Sequence, residues 1–288
     1  MRQIRFGRYM ANLDTIIGAF DQNAPRYDRH AALEREVGDR LLERLEFRRI
    51  EPGVILDLGC GTGHGSAALR RTFRRAQVAA VDISSGMLDQ AGRQSSFTRP
   101  LRRVNADMAR LPFTRAAADL VHSNLALPWS VNTERLFHEV ARVLRPDGLF
   151  LFSTFGIGSL SPLVRDSTAD GFFDVLELGD ALTAAGFREP VIDVDRITLK
   201  YRDIQGMIRE LEATGSALLV PGWRELRANA EKLASAWPES DECFPVGFEI
   251  LYGLAFGPAE GQPRRTRDGE IATFSVDSLL KSRPVRYD

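Results

Sequence analysis

The stretch VILDLGCGTGHGS, residues 54–66, decides the fold. Val54 to Leu58 is apolar but for Asp57, as expected of a short strand buried on both faces. Directly after it, glycine falls at every second position: Gly59, Gly61, Gly63 and Gly65. Glycine in a regular element costs about 0.5–1 kcal/mol relative to alanine, so such a run implies a turn that needs unusual backbone angles or a bare main chain. In doubly wound sheets that turn sits at the carboxyl end of a strand, where ligands bind. A dinucleotide fingerprint fits poorly. Counted from Gly59, its third glycine position is His64, while the formal match of Gly63, Gly65 and Ala68 comes too late after the strand.

Outward from this turn, strand and helix patterns alternate. Apolar residues repeat at helical spacing from Asp28 to Phe47 and again through Ala67, Leu69 and Phe73. VAAVD (78–82) reads as a second strand, and SSGMLDQAGRQ after it as a serine-capped helix. LRRVNAD (101–107), ADLVHSNLAL (118–127) and LFLFST (149–154) give three more strands, with a helix over Thr133–Leu144 that Pro146 and Gly148 should stop. Further on come a helix (178–187), a strand (190–201), helices over 203–214 and 223–236, and a late strand (245–257). Residues 257–269 read as a surface loop. The pattern predicts an α/β fold with a mostly parallel sheet covered on both sides. We expect one domain over 1–288: a helical N-terminal cap (10–50), a sheet core (51–200 and 245–257) and a helical insertion (202–237).

Composition narrows the function. A net charge of −1 gives no electrostatic case for nucleic acid or an anionic membrane surface. No apolar run approaches the length of a membrane span, and no h-region follows the basic N-terminus. The two cysteines, Cys60 and Cys243, are too few for a disulfide framework, which points to a reducing, cytoplasmic setting. The four scattered histidines lack metal-ligand spacing, so no metal is expected.

LDLGCGTG resembles the first motif of class I S-adenosylmethionine-dependent methyltransferases, which implies a Rossmann-like, seven-stranded sheet. The resemblance places Asp57 near the cofactor's methionine moiety and the glycine backbone beneath the cofactor. Asp82, ending the second strand, would accept both ribose hydroxyls, since one carboxylate offers two acceptor oxygens to two vicinal donors. Asp107 would meet the adenine amino group with Met108 beside the ring, and Asn124 would stand near the transferred methyl. The implied cofactor-binding set is Tyr27, Asp57, Gly59, Cys60, Gly61, Gly63, Asp82, Ile83, Met87, Asp107, Met108 and Asn124.

Longer segments narrow the resemblance. FDQNAPRYDRHAALEREVGDRLLERL (20–45), SNLALPW (123–129), FSTFG (152–156), LGDALTAAGFREPVIDVDRITLKY (178–201) and FEILYGLAF (248–256) resemble the malonyl-acyl-carrier-protein O-methyltransferase family of biotin synthesis. The same segments resemble a related mitochondrial complex I assembly factor, so a hydroxylase or assembly role stands beside methyl transfer at this point. A transferase for another small carboxylate also remains open. Departures fall on the acceptor side. Asp174, Val175 and Leu176 replace the family's common D-M-H, Pro128 precedes Trp129 in place of glutamine, and SLSPLVR (159–165) displaces an arginine.

The implied chemistry needs no general base, because a malonyl carboxylate is already ionised at neutral pH. Holding oxygen, methyl and sulfur in line can supply up to about 7–11 kcal/mol. Hence no catalytic side chain is expected. Recognition of the acceptor carboxylate calls for a cation, and Arg26 and Arg165 are the candidates. Tyr27, in the family's Y-D-x-H-A segment, would cap the cofactor. The insertion carries Arg202, Arg209, Arg224 and Arg227 beside Met207, Ile208, Leu218, Leu219 and Val220, a composition suited to docking an acidic carrier protein. Oligomeric state is not legible.

Overall fold

The computed structural model describes residues 12–46, 50–95, 100–164, 171–229, 233–237, 243–259, 264–266 and 269–271. Seven strands form one sheet in the order β3-β2-β1-β4-β5-β7-β6. They are β1 (Val54–Leu58), β2 (Gln77–Asp82), β3 (Arg102–Asn105), β4 (Ala118–Asn124), β5 (Leu144–Phe155), β6 (Arg188–Tyr201) and β7 (Phe244–Phe256). All pairs are parallel except those of β7 with β5 and with β6. This is the Rossmann-like α/β sheet that the glycine run and the alternating pattern predict. The chain steps outward from β1 through β2 to β3, then returns to place β4 on the other side of β1. The reversal opens a crevice at the carboxyl ends of β1 and β4.

Helices cover both faces. On one lie α2 (Ala32–Glu46), α3 (His64–Thr72), α4 (Ser85–Ala91) and α7 (Ile204–Ala213). Their core contains Leu33, Val37, Leu41 and Leu69 against Ile55, Leu120 and Leu151. The other face carries α5 (Thr133–Val143) and α6 (Val175–Ala184), where Phe150 stacks on Phe152 and Phe187 at centroid distances of 4.6 and 5.5 Å. Such aromatic contacts add about 0.5–1.5 kcal/mol each beyond their buried area. Before α2 the chain forms α1 (Leu13–Asn23), and α8 (Trp223–Ala228) follows α7.

The helix expected over Thr133–Leu144 is α5, which ends one residue earlier at Val143, and Pro146 follows in the solvent-exposed start of β5, where a missing N–H breaks no central ladder bond. Three other local expectations are corrected. The helix expected over 223–236 is interrupted: α8 ends at Ala228 and its C-cap Asn229 is extended, with φ −125° and ψ 92°, while residues 230–232 lie outside the described residues. The predicted strand 118–127 ends at Asn124, because Leu125 takes a positive φ of 50° and a tight turn over Leu127–Trp129 follows. The supposed loop at 257–269 contains β8 (Arg264–Thr266), which pairs antiparallel with β9 (Gly269–Ile271). Among the described residues no helix is long and apolar enough to cross a membrane.

Candidate functional site: a divided crevice above β1 and β4

Two adjoining cavities occupy the crevice. Tyr27, Gly59, Gly61 and Asn124 line both, so these residues mark the boundary. The first cavity continues between α2 and β1, with Glu34, Arg35, Asp57 and His122 in its wall. The second extends over β2 and β3, walled by Phe20, Asp82, Ile83, Met87, Met108 and Trp129.

The glycine turn shapes the floor. Gly59 has φ +64°, and a Cβ there would lie 2.2 Å from Cβ of Ala126, so only a bare backbone fits. Gly61 has φ +52° and faces open space, with no heavy atom within 4 Å of a built Cβ. That vacancy is where a ligand can lie directly on the main chain. Gly63 caps α3. The Cys60 N–H donates to the Val81 carbonyl at 3.0 Å, tying the turn to β2. Burial, then Asp82 and Asp57, hold the Cys60 thiol well above its usual range, which makes it an inert wall.

Asp82 closes β2 and faces the second cavity. Its Oδ2 accepts the Gly61 N–H at 2.8 Å and its Oδ1 the Ser84 N–H at 2.9 Å. A carboxylate has about four acceptor sites, so each oxygen keeps capacity for one hydroxyl. Burial pushes its carboxyl up to about 6 despite those two bonds. Asp107 stands at the rim, between Ala106 and Met108, which both line the cavity. Its Oδ1 accepts the Ala109 N–H at 2.8 Å, leaving Oδ2 for an amino donor.

Asp57 behaves differently from Asp82. It is 2% exposed, and each of its oxygens has a buried partner. Oδ2 accepts the Ser66 hydroxyl, and Oδ1 lies 2.7 Å from Nδ1 of the buried His122. Asp57 therefore lies along the first cavity as expected, but as the anchor of a buried cluster. His122 is absent from the sequence reading, since nothing in SNLALPW (123–129) or its flank marks it.

Asn124 is also committed. Its Nδ2 donates to the Glu34 carbonyl at 2.8 Å and its Oδ1 accepts the Ser153 hydroxyl at 2.8 Å, locking α2 to β4 and β5.

The N-terminal cap is pinned over both cavities. Asp21 Oδ1 accepts from Ser84 Oγ and from the Gly86 N–H at the start of α4. Asp28 Oδ1 accepts the Thr62 hydroxyl inside the glycine turn, and Phe20 packs edge-on against Trp129 at 5.1 Å. Tyr27, held by this frame, stands between the cavities. Burial first, then Glu34, Asp82 and Asp28, keep its phenol well above the ordinary value, so it remains a hydrogen-bond donor.

Of the two acceptor arginines, one is among the described residues. Arg26 does not enter either cavity: its Nε and Nη2 donate to Asn23 Oδ1 at 2.9 and 2.6 Å, which turns it onto an outer groove with Arg224 and Arg227. Its place at the end of α1 swings it away from Tyr27, its chain neighbour. Arg165 lies outside the described residues.

The family described as a methyltransferase domain matches residues 56–152, the span from β1 to β5. Over most of its length the chain is similar to proteins named malonyl-acyl-carrier-protein O-methyltransferase. One from Halorhodospira halophila is 38% identical, covering 92% of this chain and 94% of its own. One from Methylovorus sp. is 37% identical, covering 87% and 90%. Among solved structures, a methyltransferase-like protein of Bacillus halodurans aligns with a TM-score of 0.56 at 17% identity, over 77% of this chain and 99% of that one. The cyclase SpnF aligns with a TM-score of 0.54 at 18% identity, over 78% and 82%. The fold alone therefore does not fix the chemistry.

Proposed function

Because the chain belongs to the malonyl-acyl-carrier-protein O-methyltransferase family, we propose that it transfers a methyl group from S-adenosylmethionine to the free carboxylate of malonyl-acyl-carrier protein. The divided crevice carries this reading. One cavity has a carboxylate with two spare acceptor sites and an apolar wall, and the other is lined by charged groups, as an adenosine and an amino acid require. The relatives' name favours methyl transfer over an assembly role. In this reading the whole chain is one cytoplasmic methyltransferase domain, with 202–237 as its lid.

S-adenosylmethionine, when bound, supplies an electrophilic methyl on sulfur. The residues of this chain bind and orient. Asp82 takes the ribose, Ile83, Met87 and Met108 enclose adenine, and Asp107 receives its amino group. The backbone of Gly59, Cys60 and Gly61 passes beneath, and Gly63 sets the direction of α3. Tyr27 closes the top, excluding water and aligning the acceptor carboxylate, which needs no base at neutral pH. Asn124 holds α2 against the strand ends, so that Tyr27 and the floor keep their spacing.

The carrier has a place to dock. An outer groove between α1 and the α7–α8 insertion is lined by Arg26, Arg224 and Arg227 around Ala19, Leu218 and Trp223. Arg227 is paired with Glu212 at 2.9 Å and still 58% exposed, so its charge reaches solvent. Electrostatic docking acts on association rate and fades with salt. Arg224→Glu with Arg227→Glu should lower kcat/KM for malonyl-carrier protein by about tenfold at low ionic strength, with a smaller loss at high salt. Methylation of a malonyl thioester that lacks the carrier should be unchanged. Equal losses on both substrates would show the groove to be structural.

A further inference from the structure

We propose that Glu34 and Arg35 form the receiving site for the amino-acid end of S-adenosylmethionine, with the Glu34 carboxylate binding its ammonium group. The inference rests on the cofactor reading above. Asp82 lines only the second cavity and Glu34 only the first, so a ligand with its ribose on Asp82 extends its other end past Gly59 and Gly61 towards Glu34. The carboxylate expected at that end, Asp57, is buried and already has a partner on each oxygen, Ser66 and His122. Glu34 is the reverse case. Its Oε2 is sealed from solvent and has no hydrogen-bond partner among the described residues. A buried carboxyl oxygen left without a partner is destabilising, and a cationic donor would recover that cost. Arg35, the next residue, lines the same cavity. One of its amino groups holds the Asp28 carbonyl at 2.5 Å. Its other guanidinium donors can meet an α-carboxylate, so neighbouring residues of α2 offer opposite charges to the two ends of a zwitterion.

The surroundings explain how the empty site tolerates Glu34. Tyr27 and Asp28 face it from the turn before α2, Glu210 and Thr214 from α7, and Tyr201 from β6, while His30 faces Glu210. Arg35 is a neighbouring cation that favours its ionised form. Burial above all, with the nearby Glu210, raises Glu34 to about 8, so the empty protein holds it protonated at neutral pH. Arrival of an ammonium and a sulfonium reverses that balance, and the proton leaves to solvent.

Calorimetric titration with S-adenosylmethionine at pH 7, in two buffers of different ionisation enthalpy, reads this directly. The wild-type protein should release about one proton per cofactor bound. Affinity should rise about tenfold per pH unit between pH 6 and pH 8 and then level off. Glu34→Gln should abolish the release, flatten the slope and weaken binding about tenfold at pH 8. Methylthioadenosine, which lacks the amino acid, should bind both proteins alike without proton release. No proton release by the wild-type protein would overturn the assignment. So would a Glu34→Gln loss shared equally by both ligands, because that pattern belongs to a structural residue. Proton-linked binding without methyl transfer would leave this site standing and sink the acceptor reading instead. A wild-type protein that binds neither ligand overturns the cofactor reading and this inference together.

Discussion

Asp82→Ala should weaken S-adenosylmethionine binding by about 1.5–3 kcal/mol, the range for hydrogen bonds to a charged group. Two interactions are lost at once in the ligand, one from each ribose hydroxyl. The same carboxylate also receives the N–H groups of Gly61 and Ser84, so the glycine turn and the entry to α4 should loosen as well. Titration calorimetry separates these effects through Asp82→Asn. The amide retains one acceptor for the backbone and for one hydroxyl, so its affinity should fall between those of wild type and alanine. Unchanged affinity in Asp82→Ala would remove this residue from the ribose.

Alanine at Gly59 and alanine at Gly61 should fail in opposite ways. At Gly59 the added carbon meets Ala126 at 2.2 Å and the backbone is left-handed. Strain of about 1–2 kcal/mol and overpacking of about 1–3 kcal/mol should together lower the melting temperature of the apo protein clearly. At Gly61 the carbon meets nothing in the empty protein, so only the conformational strain remains. That carbon occupies the ligand's volume, and Gly61→Ala should retain most of the stability while losing cofactor affinity. Thermal melts paired with cofactor titration test the contrast. Equal losses of stability in the two variants would contradict the role given to the open floor at Gly61.

What the chain declares locally is legible in its sequence. Asp82 and Asn124 close their strands and Asp57 stands one residue before the end of β1, so each is visible as a polar residue meeting an apolar run. The glycine turn is visible for the same reason. Features made by packing are not. His122 is the partner of Asp57 only because β1 and β4 pair with Asp57 opposite His122, a register set by tertiary structure. Glu34 sits on an ordinary amphipathic helix, and its buried, unpartnered oxygen arises where α2, α7 and β6 converge. Arg26 adjoins Tyr27 in sequence, yet the turn after α1 sends the two side chains to different surfaces.

The resemblance supplies roles that geometry then constrains. It puts an acidic residue at the methionine end of the cofactor, and in the structure Asp57 lines the first cavity. Its oxygens each have a buried partner, whereas Glu34 on α2 presents an oxygen with none among the described residues. On the acceptor side, where this chain departs from the family pattern, the structure draws Arg26 into a surface groove. The groove suits a protein partner better than a buried carboxylate, and it is the feature most specific to a carrier-borne substrate.

The central claim is methyl transfer to a carrier-borne free carboxylate. Its most direct test incubates the protein with methyl-labelled S-adenosylmethionine and either malonyl- or acetyl-acyl-carrier protein. Label should enter the malonyl carrier as a base-labile methyl ester and should not enter the acetyl carrier, which has no free carboxylate. Cofactor binding without labelling of the malonyl carrier, or equal labelling of both carriers, would contradict the account.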